Sequence, residues 1–213
     1  WSDRVAAGEA PSTPPPRPAG VERNLVITLW DWGSEIDGRT DMAAADIRDG
    51  RVNANGPVFG VAEMTDSLTI LDPVTHTASV VTVPSTAPPF VGGFNASPTR
   101  SPHYGDDVWA RRADVRSSAV DANDRVWMAS RVRDPDQQPD FCTSDENPFA
   151  ANYPLQRASR QVSLYDPATG EFEQIDTCFS SDHNQMSDDN FLYFGQNGAV
   201  GWIDMDMWDE THD

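Results

Sequence analysis

Apolar and polar positions alternate along this chain in short segments, which is the pattern of β-strands with one buried face. The apolar segments are rich in β-branched and aromatic residues, and Asp, Asn, Pro and Gly separate them. The sequence therefore predicts an all-β fold. Strands are predicted at 24–33, 57–63, 66–73 and 77–84, and strand–turn–strand units at 116–133, 160–179 and 181–208.

Several segments interrupt this pattern. Residues 1–23 are predicted to be a Pro-rich linker or tail, because PSTPPPRPAG favours extended polyproline II structure. Polar insertions are predicted at 85–115 and 134–158. The segment Met42–Arg48 has two interpretations, a short helix or a loop with a strand. The internal repeat favours the loop and strand.

That repeat consists of two templates, each present twice. LDPVTHTASVVTV (71–83) and YDPATGEFEQIDT (165–177) share an Asp-Pro turn followed by an alternating strand. AVDANDRVWMAS (119–130) and MSDDNFLYFG (186–195) share a strand, an Asp-rich turn and an aromatic strand. Without the insertions the period is about 40–50 residues, which is typical of a four-stranded β-propeller blade. Because one such sheet cannot bury both faces alone, blades stack around an axis.

Counting the blades predicts a ring that this chain does not close. Residues 40–84 form one predicted blade, 116–179 form a second and 181–208 begin a third, which makes about two and a half blades. Closed propellers have at least about four blades. Residues 24–213 are therefore predicted to be an incomplete β-propeller, a fragment of a larger propeller. A start at Trp1 instead of Met agrees with a processed product or an internal fragment. A β-sandwich with coincidental hairpins is the competing fold.

The charge of the chain limits its partners. It carries 34 acidic and 15 basic residues, for a formal net charge of −19, and every basic residue is Arg. Nucleic acids and anionic membrane surfaces attract clusters of Lys and Arg, so neither is an expected partner. No apolar run reaches the length of about 18 residues that a transmembrane helix needs, so no membrane insertion is expected.

The chain has two cysteines, Cys142 and Cys178. The even count favours a disulfide, which would stabilise the fold by about 4 kcal/mol in the chain-entropy model. A disulfide in turn favours an exported protein, periplasmic or extracellular. Two free buried thiols in a cytosolic protein are the alternative.

The repeated segments resemble a known family. VDANDRVWMAS followed by LYDPATGEF resembles the blades of virginiamycin B lyase-like propellers. The resemblance to large exported bacterial proteins named carboxypeptidase regulatory-like domain proteins extends over most of 20–213 and implies a propeller that continues beyond this chain. It does not imply peptidase activity, because the sequence has no H-E-x-x-H motif. The stretches of this second resemblance are NLVITLWDWG, LDPVTHT, RVWMASRVR, FCTSDENP, SRQVSLYDPATGEFEQIDTCF and GWIDMDMWDET.

His183, Asp182 and Arg116 are the candidate site residues. In the predicted blades His183 opens the innermost strand of the third unit and Arg116 opens that of the second, so both positions line the axial funnel. The resemblance implies that funnel histidines and acids hold a metal and act as general acid or base. His183 would then be the base, Asp182 a metal ligand and Arg116 the group that binds an anionic substrate. The similar exported proteins often have His where this chain has Arg116 and Asp182, and ion pairs that fix loops are the alternative role.

Two further sets of residues have candidate roles. The acidic segments 31–41, 134–140 and 204–213 offer oxygen ligands for calcium or another divalent cation between blades, although none matches the D-x-[DN]-x-[DN]-G motif. A solvated acidic face is the alternative. Trp127 and Trp202 are expected to pack in the core between blades.

Two functions are consistent with these patterns. The first is an exported β-propeller that acts as a binding platform or assembly subunit, without a demonstrable catalytic motif. Its partners would be the remainder of its own propeller or other protein chains. The alternative is a metal-assisted lyase or hydrolase of the virginiamycin B lyase type, acting in the axial funnel.

Overall fold

The computed structural model describes residues 7–8, 41–89, 112–152, 159–196 and 198–212. Within these ranges the protein is mostly β-structure, arranged in three antiparallel sheets, A, B and C, of four, four and three strands. The all-β prediction is confirmed. The tail at 1–23 (apart from residues 7 and 8), the strand at 24–33 and the part of the insertion at 90–111 lie outside the described residues. No helix in the described part of the chain is long and apolar enough to cross a membrane.

Sheet A has its four strands in chain order. The segment Met42–Arg48 contributes a strand and turns in place of a helix, because the Asp46 carboxylate accepts hydrogen bonds from the backbone N–H and the guanidinium of Arg48 and so turns the chain. The strands are β1 (Met42–Ala43), β2 (Val58–Ala62), β3 (Ser67–Asp72) and β4 (Thr77–Thr82), with a 3₁₀ turn at Glu63–Thr65 between β2 and β3.

Sheet B repeats this arrangement and contains the second insertion between its second and third strands. The insertion holds short helical turns at Pro135–Gln137, α1 (Asp140–Thr143) and Ala150–Asn152. A disulfide joins Cys142 of α1 to Cys178, which follows the last strand of the sheet, and the two positions are 36 apart in sequence. The strands of sheet B are β5 (Arg116–Val120), β6 (Val126–Ser130), β7 (Gln161–Asp166) and β8 (Glu171–Ile175).

The two repeated turn templates owe their shape to aspartate side chains. After β5, Asp121 accepts from the backbone N–H groups of Asn123 and Arg125. At the ends of β3 and β7, Asp72 and Asp166 accept from the N–H groups two residues further on. Each Asp therefore closes its own turn by a local hydrogen bond, and this explains why the turns are readable from sequence.

Sheet C has three strands and ends in a helix. The prediction of strand structure up to residue 208 is wrong over its last part, because Asp204 accepts from the N–H groups of Asp206 and Met207 and so caps a helix. The elements are β9 (His183–Met186), β10 (Phe191–Gln196), β11 (Ala199–Asp204) and α2 (Met205–Thr211).

Sheet B lies between the other two sheets and buries both of its faces. Val126 and Met128 pack with Phe59 and Leu68 of sheet A. On the opposite face, Trp127 packs in a second cluster with residues of sheet C and of α2. This second cluster comprises Trp127, Val162, Leu164, Met186, Leu192, Phe194, Met205 and Trp208.

The two tryptophans expected in the core have different environments. Trp127 is fully buried, as predicted. The prediction for Trp202 is wrong, because Trp202 is 61% exposed. Trp202 pairs with Tyr193 across β11 and β10, on the face of sheet C that points away from sheet B. Trp202 and Tyr193 lie 6.4 Å apart between ring centroids, and this face carries no further described sheet.

Candidate functional site

The first strands of the three sheets lie side by side, and β5 contacts both β1 and β9. Because β5 and β9 begin at Arg116 and His183, these residues lie at the same end of the adjacent strands. A group of charged residues gathers there, which we call the inner-strand cluster. It consists of Glu63, Asp114, Arg116, Arg160 and Asp182.

Arg116 joins all three sheets at this end. Its Nη2 donates to Glu63 Oε1 at 2.8 Å, and its Nη1 donates to Asp182 Oδ1 at 3.4 Å. Burial alone would lower the pKa of the Arg116 guanidinium, but the hydrogen bond to Glu63 and the nearby carboxylates raise it overall. Arg116 therefore stays charged, and carboxylates on both sides neutralise it.

Arg160 forms the buried part of the cluster. Its Nη2 lies 2.5 Å from Asp114 Oδ2, and both side chains are nearly inaccessible, at 8% and 4% exposure. Its Nη1 donates to Asp182 Oδ1 at 3.2 Å. Asp182 thus receives hydrogen bonds from two arginines, one of which the sequence did not indicate. Arg160 directly precedes β7, and no local pattern places it beside the start of β9.

A buried carboxylate supports the cluster from behind. Asp66 accepts hydrogen bonds from the backbone N–H groups of Arg112 and Asp114. Burial raises the pKa of the Asp66 carboxyl, against the effect of these N–H donors. Asp66 links the loop after β2 to the segment that enters β5, and so connects sheets A and B next to Arg160.

His183 lies beside the cluster without joining it. Its side chain is 82% exposed, and its Nε2 is 4.0 Å from Asp182 Oδ2, which is too long for a hydrogen bond. The structure therefore brings two of the three candidate residues, Arg116 and Asp182, into contact and leaves His183 facing solvent. Within the described ranges no three His, Cys, Asp or Glu side chains form a group that could hold a metal ion.

The acidic segments considered for calcium have other partners where they are described. Asp134 caps the turn Pro135–Gln137 and pairs with Arg131. Asp209 of α2 pairs with Arg125, and Asp204 caps α2. The segment 31–41 lies outside the described residues except for Asp41. These carboxylates therefore act as caps and ion-pair partners, in agreement with a solvated acidic face.

Two cavities lined by described residues adjoin the sheets. The first, of about 320 Å³, lies between β1, β5 and β9, and its lining includes small residues such as Ala43, Ser118 and Ala119. Among its lining residues only Asp46 is charged, and Arg48 neutralises it. This central cavity therefore offers shape but little acid–base chemistry.

The second cavity lies at the outer side of sheets B and C, and we call it the outer groove. It measures about 500 Å³ and lies among β10, β11, α2, the end of β8 and the disulfide-linked insertion. Its lining includes Phe141, Phe179, Phe194, Trp202 and Trp208. The sequence did not indicate this groove, because its walls come from four separate segments.

Comparison with known proteins adds little to this picture. No family model matches the chain, and no curated protein matches it. A solved structure similar to part of this fold is the extracellular domain of a protein described as a one component system, from B. thetaiotaomicron. The identity is 9%, the TM-score is 0.44, and the match covers 81% of this chain. The chain spans 15% of the length of that protein.

Proposed function

We propose that this chain is part of an exported β-propeller that acts as a binding platform or assembly subunit. The observation that carries the proposal is the inner-strand cluster, in which Arg116 and Asp182 neutralise each other across sheets. Ion pairs between residues of different sheets hold the three sheets in register. These residues are not free to bind a substrate group or a metal, so the cluster suits a structural scaffold better than a catalytic site.

The arrangement of the sheets supports the propeller part of the proposal. Sheets A, B and C follow one another along the chain, each runs outward from its first strand, and their first strands lie together. Sheet B buries a face against each neighbour. Face-to-face packing of consecutive four-stranded sheets around their first strands is the arrangement of propeller blades. The resemblance to virginiamycin B lyase-like and carboxypeptidase regulatory-like proteins belongs to this proposal as well.

The outward face of sheet C supports completion by further blades. Trp202 and Val200 are 61% and 70% exposed there, and Tyr193 lies beside them. Because the three described sheets are fewer than the four or so that close a propeller, the remaining blades would come from further sequence or from other chains. Export is part of the same proposal, since the disulfide between Cys142 and Cys178 persists in oxidising compartments.

The native mass of the protein in its source tests this proposal. A closed ring requires a particle well above the 23.4 kDa of these residues, and electron microscopy of the same particle should show about four to eight blades around a channel. A native particle of 23.4 kDa, or a larger one whose sheets form a two-layer sandwich, would contradict the proposal.

A metal-assisted lyase or hydrolase is the second candidate function. In its favour, Arg116, Asp182 and His183 lie at the same end of adjacent strands, where a funnel would open. The described residues supply at most Asp182 as a carboxylate ligand, so further ligands would belong to other blades. Calorimetric titration of the native particle with Ca²⁺ or Mn²⁺ tests this candidate. Saturable binding that is lost in Asp182→Asn would support it, and equal binding by both proteins would remove Asp182 from a metal site.

A further inference from the structure

Within the described residues, sheet C has three strands, whereas sheets A and B have four each. Strands β4 and β8 pair with β3 and β7 as the outermost strands of their sheets. Strand β11 holds the equivalent third position in sheet C, and within the described residues it pairs only with β10. Alternate residues of β11 therefore direct backbone N–H and C=O groups away from the sheet, as in any edge strand.

The chain that directly follows β11 does not fill this position. In sheets A and B the third strand ends at Asp72 and Asp166, and the Asp-Pro turn leads back into the fourth strand. In sheet C the third strand ends at Asp204, whose carboxylate instead caps α2. The hairpin of the other two sheets is thus replaced by a helix that packs Met205 and Trp208 between sheets B and C.

The outer groove lies beside this open edge and is strongly apolar. Three of its lining residues are exposed large apolar side chains: Phe141 at 57%, Trp202 at 61% and Met207 at 52%. Exposed apolar residues concentrated around one groove indicate an interaction site. Trp208 also lines the groove, is 5% exposed, and has an indole Nε1 that is buried without a hydrogen-bond partner in the described structure.

Gly201 contributes to the shape of the groove. A Cβ atom at this position would lie 1.9 Å from Cζ of Phe179, so only glycine allows that ring to lie flat over β11. The Phe179 ring stacks on Phe194 at a centroid distance of 5.6 Å. One side of the β11 edge is therefore lined by aromatic rings that a strand added to the sheet would contact.

We propose that the outer groove and the free edge of β11 bind an extended strand of a partner polypeptide, which adds to sheet C as its fourth strand. This inference rests on the proposed function as a binding platform and names the kind of partner. The strand carries alternating apolar residues, as β4 does, because it must pair with β11 and place side chains in the groove.

The negative charge of the chain favours a partner strand with basic flanking residues. The groove lining contains the carboxylates Asp204 and Asp176, of which Asp176 pairs with Arg133, and no lining residue is Lys or Arg. The chain itself carries a net charge of −19, so a second copy of it is repelled from this site. A basic peptide is attracted on the same ground.

Peptide binding to the full chain tests the inference. The probe is a fluorescein-labelled peptide, RRTASVVTV, in which residues 77–83 of sheet A follow two arginines. Fluorescence anisotropy should show saturable binding, weaker binding for EETASVVTV, and none for RRTASPPTV, whose prolines lack the N–H donors of a strand. Trp202→Lys should weaken binding of the first peptide about tenfold or more, since an aromatic anchor is lost and an edge lysine opposes pairing.

Val74→Lys is the matched control, because Val74 is 72% exposed in the turn after β3, away from the groove. Hydrogen exchange of the β11 amides that point away from β10 should be fast in the free chain and slow with RRTASVVTV. The inference is overturned if RRTASVVTV does not bind, or if it binds equally well to the Trp202→Lys variant. Slow exchange of these amides in the free chain would also overturn it, and would assign the edge to another segment of this protein. If the chain associates with itself and Trp202→Lys abolishes this association, the inference is overturned, and the partner is a second copy of the chain. The native mass distinguishes the two proposals, because a complete ring without peptide binding leaves the proposed function standing.

Discussion

The ion pair of Arg160 with Asp114 should be among the most costly single contacts to remove from this protein. Both side chains are nearly inaccessible, and Arg160 also donates to Asp182 and to the backbone carbonyl of Asp114. Arg160→Ala leaves the Asp114 carboxylate buried without its guanidinium partner. Breaking a buried pair on one side costs about 3–5 kcal/mol, mostly because one charge is left desolvated and unpaired. We expect the free energy of unfolding of Arg160→Ala to fall by about this amount.

Arg51 provides the matched control. Its pair with Asp49 has an N–O distance of 2.6 Å, close to the 2.5 Å of the buried pair, but its side chain is 91% exposed. Because water solvates both partners after the change, Arg51→Ala should leave the unfolding midpoint within the scatter of the measurement. The two variants thus remove ion pairs of similar length and differ in burial.

Equilibrium urea unfolding of the wild type and both variants measures the difference. A double-mutant cycle with Asp114→Ala should give a total loss well below the sum of the single losses, since either change breaks the same pair. Added salt should change the result for Arg160 little, because buried pairs are poorly screened. If Arg160→Ala costs no more than Arg51→Ala, burial of the pair is not what makes it important, and the structural role of the inner-strand cluster fails.

Three other expectations follow from single features. Replacing Cys142 and Cys178 by Ser should lower the free energy of unfolding by about 4 kcal/mol, because the bridge spans 36 residues; urea unfolding measures it, and a loss below about 1 kcal/mol would contradict it. Trp127→Phe should cost about 1–3 kcal/mol, because its buried indole N–H donates to Asp121 at 2.8 Å; thermal unfolding without a shift would refute this. Burial raises the pKa of the Asp66 carboxyl above its ordinary value of 3.8. Between pH 3.8 and this raised pKa, the folded chain therefore holds a proton that the unfolded chain releases. Stability should therefore fall as the pH rises through that interval, and Asp66→Asn should flatten the fall in unfolding free energy measured from acid to neutral pH.

Much of the fold was predictable because its signals are local. The strand segments follow from alternation of apolar residues, and the turns follow from Asp72, Asp121 and Asp166, which bond to N–H groups a few residues away. The helix after Asp204 shows where this reasoning reaches its limit. The Asp at the end of the third strand begins a hairpin turn in sheets A and B, but the equivalent Asp204 in sheet C caps a helix. Met205 and Trp208 of that helix are buried between sheets B and C.

The site was less predictable because its residues are distant in sequence. The pattern placed Arg116 at the start of one first strand and Asp182 directly before another, and their side chains do meet. It did not indicate Glu63 or Arg160, because their roles depend on which segments the stacking of the sheets brings together. His183 directly follows Asp182 in sequence, but its side chain faces solvent.

Local chemistry therefore sets the strands and the Asp-closed turns in this protein, because each depends on residues a few positions apart. The stacking of the sheets sets everything that depends on distance across them. It buries Trp127 between sheets B and C and leaves Trp202 at 61% exposure on the outward face of sheet C. Both tryptophans lie on strands of similar pattern, and the difference between them is whether another of the described sheets covers the face on which each one lies.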